Sequence, residues 1–201
     1  MTSAAQEVFG SQFPVITRYV EMLAGRGGDW GLIGPREVGR LWERHVLNSA
    51  ALNELIPDGS AVADVGSGAG LPGIPLAVLR PDLDVTLIEP LLRRYRFLTQ
   101  AVDELGTTNA HVLRTRAAEH RATYDVVVAR AVAPLHRLIG WCGPLRSPGG
   151  VILALKGSSA AAEVAAAAKQ LTAWRLTATI VVARAHPRSD PATVVRLTSA
   201  G

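Results

Sequence analysis

One heptapeptide constrains the fold of this chain more than any other stretch: Asp64-Val65-Gly66-Ser67-Gly68-Ala69-Gly70. An apolar run, Ala61 to Val65, precedes the glycines, and a helix-like stretch starts at Pro72. A strand, a glycine-rich turn and a helix start together build a cradle for a nucleotide-type cofactor. Glycine supplies the sharp turn and lets backbone approach a ligand with no side chain between them.

Two frames compete within the cluster. The dinucleotide pattern G-x-G-x-x-G is met by Gly68, Gly70 and Gly73, but that frame begins after the strand has ended at Gly66. The other frame is an acid followed by alternating glycines: Asp64, Gly66, Gly68, Gly70. A carboxylate beside this turn repels a pyrophosphate and suits a ligand carrying positive charge or hydroxyl donors. S-adenosylmethionine has a sulfonium, an ammonium and a ribose and no phosphate, so the acid favours it over a nicotinamide dinucleotide. Glu89 ends the next strand, Asp84-Val85-Thr86-Leu87-Ile88, about twenty residues on, where an acid takes ribose hydroxyls.

At 201 residues with 48% hydrophobic content, the chain holds one domain of ordinary size with its own core. We divide it into a helical extension over 1–58 and a cofactor-binding domain over 59–201. It has no apolar run long enough to span a bilayer, and Met1 to Gly10 lack a signal-peptide pattern. Cys142 is the only cysteine, which excludes an internal disulfide and a cysteine-cluster metal site and fits a reducing cytoplasm. The net charge is +4, and nineteen of the 21 basic residues are arginine, a balance that suits a nucleic-acid partner.

Residues 5–25 have apolar side chains at loosely helical spacing. After a glycine-rich break, Pro35 starts a second helix with Val38, Leu41, Trp42, Val46, Leu52 and Leu55 on its buried face. From residue 61 the pattern alternates. Strands are predicted at 61–65, 84–88, 110–115, 124–130 and 150–156, and helices at 72–80, 91–105, 134–142 and 158–171. This alternation predicts an α/β fold with a doubly wound, mostly parallel sheet. Strand-like segments 174–183 and 192–199 are joined by a link too short for a crossover helix, so they pair antiparallel and leave no room for a separate substrate domain.

Ligands of such sheets bind beyond the carboxyl ends of the strands. Arg116, Arg130 and Lys156 fall at those ends and are expected to form a positive edge beside the cofactor. Arg93, Arg94 and Arg96 open the helix after Glu89 against the helix dipole, which requires compensation by RNA phosphate, Glu89 or Asp64. His45 shares the apolar face of the second helix. It is expected to be a hydrogen-bonded packing residue, with Asn48 and Ser49 within reach. The histidines show no metal-ligand spacing, so no metal is expected.

The stretch from Asp64 to Pro75, with its Leu71-Pro72-Gly73-Ile74-Pro75 extension, resembles the signature of the bacterial ribosomal RNA small subunit methyltransferase G family, also called glucose-inhibited division protein B. Arg44-His45, Arg80-Pro81, Arg96-Phe97-Leu98, Ala129-Arg130-Ala131, Trp141 and Leu155-Lys156-Gly157 extend the resemblance over most of the chain. It implies S-adenosylmethionine-dependent methylation of a guanine N7 in the 530 loop of 16S ribosomal RNA, within the 30S subunit or its precursor, by a cytoplasmic monomer. The implied cofactor contacts are Gly66, Leu71, Ala117, Ala118 and Arg130, with Glu89 at the ribose, beside Asp64, Gly68 and Gly70 from the residue pattern. Arg116 and Lys156 match positions associated with RNA or catalysis, and Arg44, His45, Arg93 and Arg94 are further RNA candidates. Asn48 departs from the acid usual in the family, and the loop before Pro35 departs from its Asn-Leu-Thr pattern. The alternatives weighed are a nicotinamide-dependent oxidoreductase and a non-catalytic RNA-binding assembly factor.

Overall fold

Continuous Val, Ile, Leu and Ala runs make strands that are covered on both faces, the signature of a parallel sheet. The computed structural model, which describes residues 2–200, has seven strands: β1 (Ala61–Val65), β2 (Asp84–Ile88), β3 (Ala110–Leu113), β4 (Tyr124–Arg130), β5 (Arg146–Lys156), β6 (Leu176–Ala183) and β7 (Ala192–Ser199). They form one sheet in the order β3-β2-β1-β4-β5-β7-β6. The first five are mutually parallel, and β7 lies antiparallel between β5 and β6. The expected hairpin is therefore present, and its second strand, not its first, joins the parallel sheet.

Side chains alternate across the pleat. Val62, Val126, Val128 and Leu153 enter one core, and Ala63, Val127, Ala129 and Ile152 enter the other. The second core is covered by α6 (Leu135–Cys142), α7 (Ala160–Ala166) and α8 (Ala168–Ala173). The first is covered by α4 (Gly73–Leu79), α5 (Leu92–Leu105) and the N-terminal segment, whose Phe9, Ile16, Tyr19, Leu23, Leu41, Val46 and Leu52 are all buried there. That segment begins with α1 (Thr2–Phe9) and α2 (Phe13–Met22) and includes α3 (Asn48–Ala50). Its residues share one core with the sheet.

Two helices differ from the expected outline. The stretch from Pro35 is a helical path of changing pitch: a 3₁₀ helix over Pro35–Arg40, a π-helix over Leu41–Leu47, then α3. Tight turns of three residues followed by wide ones rotate side chains away from α-helical spacing. Val38 consequently points outward, 38% exposed, while Leu41, Val46 and Leu52 stay buried. The stretch expected as one helix over 158–171 breaks at Ala167, which is fully buried between α7 and α8.

The chain order reverses at β1: β2 and β3 lie to one side, β4 and β5 to the other. The loops leaving β1 and β4 therefore diverge and open a crevice above their carboxyl ends. Close approach of α4 to the sheet fixes one side of it. A Cβ on Gly73 would overlap the Leu87 side chain and come within 2.7 Å of Asp64 Oδ2. Gly73→Ala is expected to destabilise the fold by about 1–3 kcal/mol, the usual cost of overpacking. Urea unfolding followed by circular dichroism measures it.

Candidate active site

The loop after β1 takes its shape from three glycines. Gly66, Gly68 and Gly70 have φ of +71°, +60° and +101°, a left-handed region that favours glycine. A Cβ at Gly66 would lie 2.8 Å from Val132 Cγ2, so that wall also admits no side chain. The acid-plus-alternating-glycine frame thus describes the turn itself, whereas Gly73 serves helix–sheet packing.

Two buried groups hold the loop from behind. Asp64, fully buried, accepts a hydrogen bond at Oδ2 from the Gly73 amide at 3.0 Å. Its Oδ1 is buried without a hydrogen-bond partner among the described residues. Burial pushes the Asp64 carboxyl up to about 7, against the Gly73 hydrogen bond, which favours the anion. Tyr19 donates from its hydroxyl to the Ala69 carbonyl at 2.8 Å, and burial raises its phenol well above the ordinary value. Tyr19 lies on a helix whose apolar spacing signals only core, so sequence reasoning missed this clamp.

In front of the loop lies a cavity of about 690 Å³. Gly66, Gly68 and Leu71 from the loop after β1, Glu89 after β2, Arg116, Ala117 and Ala118 after β3, and Arg130 at the end of β4 all line it. Glu89 is 1% exposed, and its two oxygens accept from the Gly68 amide at 3.0 Å and the Leu91 amide at 2.9 Å. Each oxygen keeps a lone pair for a further donor. Of the three arginines that open α5, Arg94 stands 3.8 Å from Glu89. Leu32, Ile33, Val132 and Trp141 complete the wall. Leu32 and Ile33 come from the glycine-rich break, where no sequence pattern pointed to a ligand.

Several expected site residues lie elsewhere. Asp64 and Gly70 sit behind the wall and shape it. Arg44 and Arg93 do not line the cavity either. Arg44 is 3.6 Å from Glu37 and borders a second cleft with Arg40, Glu43 and Asp190, and Arg93 packs beside Gly31. The expected positive edge is not continuous. Lys156, 8% exposed, donates to the Ala133 carbonyl and to Glu163 Oε2, both at 2.8 Å, and does not face the cavity. An ammonium buried at a strand end needs acceptors, and α7 supplies Glu163 for it. Arg116 is 76% exposed, 3.7 Å from Glu119 at the rim. Only Arg130 of the three is a largely buried cation on the wall.

His45 also lines the cavity. Its ring meets Glu37 and Arg130, not the expected Asn48 or Ser49; Ser49 bonds the His45 carbonyl instead. Burial, then the Arg130 cation, lowers its basicity despite Glu37.

The family model described as GidB, rRNA small subunit methyltransferase G, matches residues 12–189. The chain belongs to this family. Two similar relatives are named ribosomal RNA small subunit methyltransferase G. The one from Thermobifida fusca is 54% identical over 200 residues, covering 98% of this chain and 84% of the relative. The one from Streptomyces avermitilis is 53% identical over 197 residues, covering 96% and 83%. The fold is shared with solved methyltransferases at low identity. A precorrin-6y C5,15-methyltransferase from Geobacter metallireducens aligns at TM-score 0.57 and 13% identity over 84% of this chain and 91% of that one. An rRNA methylase from Streptococcus thermophilus aligns at 0.52 and 18% over 76% and 94%. The cofactor of this methyltransferase G family member is S-adenosylmethionine, and the cavity fits it. Acceptors at Glu89 suit ribose hydroxyls, the glycine wall admits close approach, and Arg130 offers donors to a carboxylate.

The raised Asp64 carboxyl has a consequence for stability. Its folded value, about 7, lies above its ordinary 3.8, so the folded state binds the extra proton and loses stability as pH rises between those values. Relative to Asp64→Asn, the cofactor-free wild type is expected to lose up to ~1 kcal/mol per pH unit between about pH 4 and 7 and to level off above. Paired urea titrations across that range test it.

Proposed function

We propose that this protein methylates N7 of a guanine in the 530 loop of 16S ribosomal RNA, acting as a cytoplasmic monomer on the small subunit or its precursor. The observation that carries the reading is the crevice at the β1/β4 switch point. It has buried acceptors at Glu89 on one wall and the largely buried Arg130 cation on the other. Family membership supports ribosomal RNA as the substrate.

S-adenosylmethionine supplies, when bound, a methyl group activated on a sulfonium. The residues of the chain bind and align. Glu89 and the backbone of Gly66 and Gly68 hold the nucleoside end, Ala117 and Ala118 line the pocket beside it, and Arg130 faces the carboxylate end. Guanine N7 has a free lone pair and no proton at neutral pH, so methylation there requires no general base. The imidazole on the cavity wall agrees with this: both His45 ring nitrogens are already engaged, with Glu37 and Arg130. Alignment alone accounts for a large rate enhancement. In A-form RNA the N7 edge lies in a deep, narrow groove, which favours a guanine in a loop.

No helix among the described residues is long and apolar enough to cross a membrane. Arg116, exposed at the rim, is the group best placed to meet RNA phosphate or guanine O6; a cation on N7 itself would block the reaction.

Methyl transfer from tritiated cofactor to small-subunit RNA, followed by borohydride–aniline cleavage and primer extension, is expected to give a single stop in the 530 loop. Label in another RNA, or none, contradicts the assignment. Two variants separate the roles. Gly68→Asp places a side chain at a left-handed backbone position beside Glu89 and is expected to abolish adenosylhomocysteine binding in calorimetry. Arg116→Ala is expected to retain cofactor affinity and to weaken RNA binding, lowering the salt slope by about 1.

A further inference from the structure

We propose that His45 is a positioning residue for Arg130, with Glu37 setting its tautomer, so that the N-terminal segment decides how tightly the cavity grips the carboxylate end of its cofactor. This rests on the cofactor reading above and adds to it the part played by residues outside the parallel sheet.

Arg130 ends β4 and is largely buried. A buried guanidinium ordinarily meets a carboxylate. Among the described residues, the side-chain hydrogen bonds of Arg130 go to one residue only. Its Nη1 donates to the His45 carbonyl at 3.3 Å, and its Nη2 donates to His45 Nδ1. Five N–H groups are present on the side chain, so donors remain for a ligand in the cavity that Arg130 lines. The carboxylate of the cofactor is the anion that a planar guanidinium recognises through paired hydrogen bonds.

The imidazole is held from both sides. Arg130 cannot accept a proton, so Nδ1 must carry a lone pair. Nε2, 2.8 Å from Glu37 Oε2, is then the nitrogen that carries hydrogen and donates it. Burial and the adjacent cation favour the neutral ring, in agreement with this arrangement. The ring is in turn fixed by its backbone. His45 lies in the π-helix Leu41–Leu47, a wide-turn geometry that recurs at functional sites. Ser49 Oγ donates to the His45 carbonyl at 2.6 Å, the same oxygen that Arg130 contacts. Glu37 sits in the preceding 3₁₀ turn and also faces Arg44 at 3.6 Å. The line Glu37–His45–Arg130 therefore runs from the surface of the N-terminal segment to the cavity wall. A guanidinium without this anchor keeps its charge and loses its aim.

Calorimetry on the full chain with two ligands tests the inference. Adenosylhomocysteine carries the carboxylate, and methylthioadenosine has the same nucleoside without the amino-acid end. His45→Leu removes the Nδ1 acceptor and is expected to weaken adenosylhomocysteine about tenfold or more, from the usual worth of a charge-assisted hydrogen bond, while leaving methylthioadenosine unchanged. His45→Asn places an amide oxygen near the Nδ1 position and is expected to recover most of the loss. Glu37→Gln, at a half-exposed site that folding tolerates, is expected to give a smaller loss confined to adenosylhomocysteine. Long-range ¹⁵N–¹H correlation of His45 is expected to show hydrogen on Nε2 alone. Equal weakening of both ligands by His45→Leu, no weakening, failure of His45→Asn to recover, or hydrogen on Nδ1 overturns the inference. A wild type that binds both ligands equally overturns it while the adenosine site stands. A wild type that binds neither removes the cofactor reading as well.

Discussion

The Asp64 carboxylate against the Gly73 amide is the contact on which the rest of the structure depends. It joins the end of β1 to the start of α4 with no side chain between them, and so sets the path that the intervening glycines must follow. The cost is a carboxyl without solvent and with one oxygen unpartnered. That cost is tolerated because the three left-handed glycines and the Tyr19 clamp leave the loop no other place to go. The cavity exists because this turn is held from behind, leaving its outer face bare for a ligand.

The N-terminal segment is part of the same construction. Its apolar residues cover one face of the sheet, its Leu32 and Ile33 close the cavity, and its His45 holds Arg130, a largely buried cation on the cavity wall. The mixed pitch from Pro35 to Ala50 permits this. A regular α-helix would keep one straight stripe against the sheet. The tight-then-wide path turns Glu37 and His45 toward each other and still buries Leu41, Val46 and Leu47.

Charge is divided by burial. Lys156 looks like an RNA or catalytic cation in the linear chain, but β5 and α7 bring Glu163 and the Ala133 carbonyl to it and consume it as a strut. Arg116, at the rim of the cavity, stays in solvent with only a loose partner in Glu119 and keeps its charge available. Solvated ion pairs of that kind are worth little and exchange readily for a phosphate, whereas a buried pair is broken only at considerable cost.

The order of strands and helices from residue 61 onward was legible in the sequence, because apolar runs of five, glycine turns and short links are local properties of the chain. So were the glycine turn and Glu89: left-handed backbone and a strand-end acid leave their mark in residue type and spacing. The positions of Val38, Ala167 and Lys156 were not legible, nor was the work of Tyr19, Leu32 and His45. Each depends on which distant side chain the fold brings alongside, and a residue in a helical apolar pattern signals burial without naming its neighbour. The sequence by itself determined a cofactor-binding sheet and the residues of its turn, since backbone stereochemistry acts within a few residues. Only the tertiary structure decided which cations face the cavity and which are spent holding the walls, since the energy of a buried charge is set by partners that lie far away along the chain.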